Sequence, residues 1–309
     1  MQPYQESWLQ DIEAKLGIYN KKTALPLAIG ASLPLAVVAL FFLFSKTVPV
    51  SSVDRSIETI SYYPLTHCPN DFVGNNHGIA SKSLKFTGSA AKICHGDHID
   101  FGHPRDFRFE DRSFSVVLWI RLDDKIKYYG MDSRCSILSC IKVPNFNRSE
   151  LLSAMKHLRD KEVEYPGWHL GIFDGIWAQV NLCNKGRSES IGRAATVAGQ
   201  WMMLGFSVDR QNNLAHFFES GAYSTRVVSN DISHMKTFDP PLSLSYILGD
   251  SGVLNDYCKL NGEVSDLAIF SGAITPEELH GMKGWSKHEF RDYAFSNVRR
   301  RPDTQVSKK

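Results

Sequence analysis

Between about residue 83 and residue 270, apolar and polar residues alternate in short stretches, which is the pattern of β-strands with one buried face. The clearest stretches are 114–122 and 201–208, whose predicted buried faces are Phe114, Val116, Leu118, Ile120 and Leu122, and Met202, Leu204, Phe206 and Val208. Further strands are predicted at 83–87, 97–101, 136–141, 168–173, 176–183, 214–219, 223–228, 242–248 and 262–270. Many short strands with little helix predict an all-β fold, a β-sandwich.

One helix is predicted to interrupt the strands. Residues 147–158 carry apolar side chains at helical spacing, and Asn147 with Glu150 resembles a capping box. Asn147 also begins a sequon for N-glycosylation, Asn147-Arg148-Ser149. Because a capping side chain is poorly placed to carry a glycan, helix cap and glycosylation site are alternative predictions for Asn147.

Before the strands lies an apolar run, 24–44, without a charged residue. As a helix it would span roughly 31 Å, about the thickness of a bilayer's hydrocarbon core. The run is longer than the apolar part of a signal peptide, and no small-x-small cleavage site follows it. A buried core helix is the other alternative. We predict an uncleaved signal-anchor over 24–45 that contacts membrane lipid through 24–44.

The remaining boundaries depend on this anchor. We predict a cytoplasmic head over 1–23 with an amphipathic helix at 7–19, a polar linker over 46–80, a β-domain over 81–285 and a basic flexible tail over 286–309. Two lysines precede the anchor and one follows it, which favours a cytoplasmic N-terminus and an exoplasmic β-domain at a cell surface, in a lumen or on a virion.

Charge and cysteine content narrow the function further. The net charge is only +2, so a nucleic-acid partner is not expected. The basic residues of the tail predict a solvated segment, or alternatively an electrostatic contact with an anionic partner. All six cysteines lie after the apolar run, which fits an oxidising compartment on that side of the membrane.

Four stretches in a consistent order resemble the concanavalin A-like lectin/glucanase superfamily, and especially its laminin G-like jelly-roll branch. They begin at Ser83, Phe114, Gly199 and Leu248, and the resemblance extends over roughly 83–282. It implies a jelly-roll sandwich in which the C-terminal strand lies beside the opening strand. It also implies a binding module for a glycan or a protein, since the superfamily hosts many roles.

A catalytic site is not predicted. Glucanases of this superfamily place alternating acids on one face of a strand, and a retaining enzyme needs two nearby carboxyls. The closest candidates, Glu263 and Asp266, are three residues apart, which predicts opposite faces of a strand. The resemblance implies a structural role for both, so we expect no enzyme activity; glycoside hydrolysis is the least favoured alternative.

Two kinds of binding site have candidate residues. We expect no cofactor to be required. The resemblance implies that Ca²⁺, if bound, would lie at a rim of the sandwich, where a polar loop supplies Asp250, Asn255 and Asp256. A sugar site needs an aromatic ring for stacking and polar groups for the hydroxyls. The candidate aromatic residues are Tyr128, Tyr129, Trp177 and Tyr257.

The disulfide candidates are Cys68, Cys94, Cys135, Cys140, Cys183 and Cys258. Cys135 and Cys140 on one strand would be about 17 Å apart and cannot pair. The resemblance implies a bridge between Cys94 and Cys258. Cys183 would pair with Cys135 or Cys140 if their strands are neighbours, and a fully reduced domain is the alternative.

The combined prediction is a single-pass membrane protein that displays a non-catalytic, laminin G-like module for a glycan or protein. The alternative is a structural subunit of a larger assembly, such as a viral envelope, a capsid or a membrane complex.

Overall fold

The computed structural model describes residues 57–94, 96–109, 112–123, 135–140, 167–173, 177–184, 187–220, 222–235, 242–245, 260–282 and 284–298. All of these ranges belong to one compact unit, residues 54–309. They form two antiparallel sheets packed face to face, so the predicted β-sandwich is confirmed.

Sheet 1 contains, in spatial order, β13 (Ala222–Val227), β12 (Leu214–Glu219), β11 (Trp201–Asp209), β6 (Phe114–Leu122), β15 (Gly262–Ser271), β4 (Ala91–Ile93) and β3 (Lys85–Phe86), with β1 (Glu58–Tyr63) also paired to β15. Sheet 2 contains β10 (Arg187–Ala195), β9 (Trp177–Asn184), β8 (Gly167–Phe173), β7 (Cys135–Cys140), β14 (Leu242–Leu244), β5 (Ile99–Gly102) and β2 (Ile79–Ala80).

The helices of the described residues are short. They are a 3₁₀ turn (Arg105–Phe107), α1 (Asn230–Ser233), α2 (Pro276–Gly281) and α3 (Lys287–Ser296). A capping box between Ser286 and Glu289 begins α3. None of the helices in the described ranges is long and apolar enough to cross a bilayer. The predicted anchor at 24–44, the head and the helix at 147–158 lie outside those ranges.

The main core lies between the two sheets, where the predicted inner faces of β6 and β11 are confirmed. Phe206 of β11 contacts Phe114 of β6 and Trp168 of β8, with ring centroids 5.8 and 4.9 Å apart. Because these rings come from both sheets, their burial stabilises the packing of the two sheets against each other.

A second core covers the outer face of sheet 1. Val117 and Trp119 of β6 point away from the main core and are buried with Phe270 of β15 and with Phe290 and Ala294 of α3. The expected flexible tail over 286–309 is therefore wrong for Lys287–Ser296, since α3 buries apolar side chains against the sheet. Residues 299–309 lie outside the described ranges.

The predicted linker over 46–80 is also wrong in its second half. Glu58–Tyr63 form β1, which pairs with β15, and Thr59 connects β1 to α3. The Thr59 hydroxyl donates to the Ala294 carbonyl at 2.6 Å, and the Thr59 amide donates to the Asn297 carbonyl at 2.9 Å. The resemblance implies that the C-terminal strand lies beside the opening strand at 83–87. In the structure β15 lies beside β1 and β4, and β3, which falls within 83–87, is separated from β15 by β4.

Candidate functional site

A row of polar side chains crosses the outer face of sheet 2, with one residue from each of six neighbouring strands. In strand order from β10 to β5 the row is Ser190, Asn181, His169, Ser139, Ser243 and Asp100. The next residues along the strands, such as Ile191, Val180 and Leu170, point into the main core. The row results from the two-residue period of a strand, which separates an apolar inner face from a polar outer one.

Accessibility changes along this row. His169, Ser139 and Ser243 are buried, and the two serine hydroxyl oxygens lie 3.2 Å apart. Towards β10, Asn181 is half-buried and Ser190 is exposed. At the opposite end, Asp100 is half-buried as well. Both ends of the row can thus meet a ligand, and the end at β9 and β10 also carries the aromatic side chain of Trp177.

At this end, β9 directs three half-buried side chains outward: Trp177, Gln179 and Asn181. The Asn181 side-chain oxygen Oδ1 accepts a hydrogen bond from the Ser190 hydroxyl at 2.7 Å and a second from Gln179 Nε2 at 3.3 Å. These two bonds orient the Asn181 amide, so its Nδ2 group keeps its hydrogens for another acceptor. We call Trp177, Gln179, Asn181 and Ser190 the amide strip.

Two ion pairs lie near the amide strip. Arg187 lies 3.5 Å from Asp231, and Arg226 lies 3.7 Å from Glu189. Cys183, the next outward residue of β9, donates its thiol to the Ser188 hydroxyl. Burial raises the pKa of this thiol, which opposes formation of a thiolate.

A charged cluster lies on the outer face of sheet 1. Arg121 binds Glu263, with nitrogen and oxygen 2.5 Å apart. Lys287 of α3 donates to Ser265 at 3.3 Å, and its ammonium lies 3.6 Å from the centre of the Trp201 ring. Burial lowers the pKa of Lys287. These ammonium and guanidinium groups are thus already engaged by protein groups.

Asp266 sits in the same cluster, on the same face as Glu263, so the predicted opposite faces are wrong. The backbone of Asp266 is left-handed, with φ 51°, and the pairing register shifts there. This bulge adds one residue to β15, which reverses the facing of the residues after it. Asp266 is fully buried and bonded to the Tyr62 hydroxyl and to Arg291, with Arg291 Nη2 at 2.9 Å. Burial, together with Asp266, raises the pKa of the Tyr62 phenol.

Most of the sequence-predicted site residues fall outside the described ranges. These are Tyr128, Tyr129, Tyr257, Asp250, Asn255, Asp256 and Asn147. Trp177 is the candidate that the structure places, on the outer face of sheet 2. Among the described residues, no group of three or more His, Cys, Asp or Glu side chains is arranged to hold a metal ion.

The cysteine predictions change in two respects. β8 lies between β7 and β9, so Cys183 cannot pair with Cys135 or Cys140 across adjacent strands. Cys94 is an exposed free thiol, and Cys68 and Cys183 are free as well. The implied bridge from Cys94 to Cys258 is therefore not formed in this structure; Cys258 itself lies outside the described ranges.

Sequence reasoning missed Gln179, Asn181 and Ser190. The signal was present in 177–183, where Trp, Gln, Asn and Cys occupy every second position between the apolar Ala178, Val180 and Leu182. Ser190 was missed because β10 itself was not predicted.

Known proteins are similar to this chain in structure and not in sequence. No protein-family model matches the chain, and no curated protein matches it either. Among solved structures, domain 4 of AbnA, an extracellular arabinanase from Geobacillus stearothermophilus solved with arabinotriose, is 15% identical, with a TM-score of 0.49, over 74% of this chain and 98% of that domain.

Two toxin domains are similar as well. The ligand-binding domain of botulinum neurotoxin serotype D, solved with N-acetylneuraminic acid, is 12% identical with a TM-score of 0.53, over 72% of this chain and 50% of that one. The serotype C1 binding domain is 13% identical with a TM-score of 0.51, over 73% and 51%. The chain thus spans about half the length of these toxin domains, and at such identities the likeness concerns the fold.

Proposed function

We propose that this protein is a membrane-anchored, non-catalytic glycan-binding module that uses the outer face of sheet 2. The observation that carries the proposal is the amide strip, where a half-buried tryptophan stands in line with two amide side chains. An aromatic ring can stack on the apolar face of a sugar, and amides bind its hydroxyl groups. The outer face of sheet 1 is less suitable, because α3 covers its apolar residues.

Two further observations support a glycan ligand. The sandwich is similar in fold to a toxin domain that was solved with N-acetylneuraminic acid. The sequence motifs resemble the laminin G-like jelly-roll branch of a lectin superfamily. Both are arguments by analogy with a fold, whereas the amide strip belongs to this chain.

The absence of catalysis is part of the proposal. Glu263 and Asp266 share a face, but Arg121 binds the first and Arg291 binds the second. A catalytic carboxyl needs access to the sugar, whereas Glu263 is 8% exposed and Asp266 is fully buried. Neither carboxylate is therefore suited to glycoside hydrolysis.

The cellular setting in this proposal comes from the sequence. Residues 24–44 anchor the chain in the membrane with the N-terminus in the cytoplasm, so the sandwich faces the exoplasmic side. Ca²⁺ at Asp250, Asn255 and Asp256 would orient an adjacent loop, and no other cofactor is required.

The test is a glycan-array screen of the full chain in detergent micelles, with Ca²⁺ and again with EDTA. Selective binding to one class of glycan supports the proposal, and loss of binding in EDTA supports the calcium site. A blank array with folded, monodisperse protein would overturn the glycan-binding function.

A second candidate function, docking of a protein partner in a larger assembly, is favoured by β13. This strand lies at one edge of sheet 1 and all its residues are exposed, including Tyr223 at 48% and Val227 at 74%. Edge strands with exposed apolar residues can pair with another chain. A blank array combined with a Val227→Lys variant that no longer assembles would favour this function.

A further inference from the structure

The length of the amide strip limits the size of its ligand. Trp177, Gln179 and Asn181 occupy every second position of β9, so the outer two are about 14 Å apart along the strand. This distance exceeds one sugar ring. A ligand that contacts both Trp177 and Asn181 must therefore contain at least two linked rings and lie along β9.

The hydrogen-bonding pattern limits its chemistry. Asn181 Oδ1 is occupied by Ser190 and Gln179, which leaves the Asn181 amide hydrogens as donors and Gln179 Oε1 as an acceptor. A sugar hydroxyl both donates and accepts, so a pair of neighbouring hydroxyls matches this set. A carboxylate or sulfate accepts only, and it would meet Gln179 Oε1 unfavourably.

Charge points in the same direction. Two charged side chains of β10 are paired with opposite charges, Arg187 with Asp231 and Glu189 with Arg226. An anionic sugar forms its strongest hydrogen bonds with charged or bidentate donors. The four side chains of the amide strip are neutral, so the strip itself supplies no charged donor.

We infer that the amide strip binds an uncharged oligosaccharide of two or more rings, laid along β9. Trp177 stacks on one ring, and the amides of Gln179 and Asn181 bind hydroxyls of the next. Ser190 acts as a positioning residue, because its hydroxyl fixes the orientation of the Asn181 amide. The inference rests on the proposed glycan-binding function and adds to it the location, the ligand class and the residues.

The experiment uses the full chain in detergent micelles and an array that carries neutral, sialylated and sulfated glycans. The best neutral oligosaccharide is then titrated by calorimetry, together with its monosaccharide. We expect neutral oligosaccharides to bind and the monosaccharide to bind at least tenfold more weakly. Asn181→Asp, which keeps the shape but replaces the donor amide, should weaken binding about tenfold.

Further variants separate stacking from positioning. Trp177→Leu should weaken binding roughly tenfold, and Trp177→Phe less. Ser190→Ala should weaken it a few-fold, and Ser190→Thr, which restores a hydroxyl, should recover it. The matched controls are Gln200→Glu and Tyr223→Leu, which make the same kinds of change at exposed positions outside the strip. Thermal melts of each variant verify that the fold is retained.

The outcomes are distinguishable. No binding to any glycan overturns the proposed function and this inference with it. Selective binding to sialylated or sulfated glycans, or neutral binding that Asn181→Asp and Trp177→Leu leave unchanged, retains the proposed function and overturns the inference. If Ser190→Thr fails to recover the loss caused by Ser190→Ala, the positioning role is wrong.

Discussion

Replacing Arg291 by methionine would leave a buried carboxylate without its cation. Arg291 donates from Nε and Nη2 to the same oxygen of Asp266, at 3.3 and 2.9 Å, and Nε also lies 3.0 Å from the Tyr62 hydroxyl. Asp266 is fully buried, whereas the Arg291 side chain is 38% exposed. The variant thus keeps the buried carboxylate of Asp266, which water cannot reach, and removes the guanidinium of Arg291, which water can reach.

The expected cost reflects that asymmetry. Removing one partner of a fully buried pair costs about 3–5 kcal/mol. Because Arg291 is partly exposed, its attraction to Asp266 is screened, and we expect about 2–3 kcal/mol. For a domain of this size that loss lowers the melting temperature by roughly 5–10 °C. Asp266→Asn keeps a residue type that tolerates the left-handed backbone and should cost about 1 kcal/mol.

The assay is urea unfolding of the full chain in detergent, followed by tryptophan fluorescence. The double variant of Asp266→Asn and Arg291→Met should be more stable than Arg291→Met alone, since no buried charge is left unpaired. Lys287→Met is the matched control, because it removes a cation of the same helix that does not bond to Asp266, and it should cost below about 1 kcal/mol. A double variant no more stable than Arg291→Met would refute the buried-charge explanation.

Three other predictions concern the described residues. A Cβ at Gly192 would lie 2.1 Å from Phe217, whereas a Cβ at Gly102 meets nothing within 4 Å, and both glycines have positive φ. In urea unfolding, Gly192→Ala should therefore cost about 1–3 kcal/mol more than Gly102→Ala. Equal costs would exclude the clash. Burial lowers the pKa of His216 from its ordinary 6.5, so the unfolded chain binds more protons and stability falls as pH drops below that value. Urea unfolding at about pH 7.5 and about pH 5.5 should therefore show a smaller loss of stability at the lower pH for His216→Gln than for the unmodified protein. Iodoacetamide should label Cys94 in the native, unreduced protein, as mass spectrometry can verify, and labelling that requires a reductant would indicate a disulfide.

The inner faces of β6 and β11 were predictable because their apolar residues recur with a strict period of two. The second core was less visible. Val117 and Trp119 made the other face of β6 apolar as well, which is typical of a strand buried on both sides, but the covering helix α3 has a polar sequence with few apolar positions.

The sequence pattern indicates β10 and the bulge in β15 only weakly. β10 has small or polar residues at most positions, since Gly192 and Ala194 take the place of large apolar side chains, so its alternation is faint. The bulge at Asp266 inserts one residue without disturbing the apolar pattern on either side of it. A count of residues along the strand therefore assigned Glu263 and Asp266 to opposite faces.

The hydrogen bonds of Thr59 join the start of the sandwich to its C-terminal segment. Residues 57 and 298 lie close together, because the backbone around Thr59 bonds to Asn297 and forms a bridge with Val298. A linker of a few residues could join these two points, and new ends could be opened between Gln211 and Asn212, which are exposed, without removing a strand. Such a circular permutant would have a different order of strands along the chain, while each strand would keep its neighbours in the sheets.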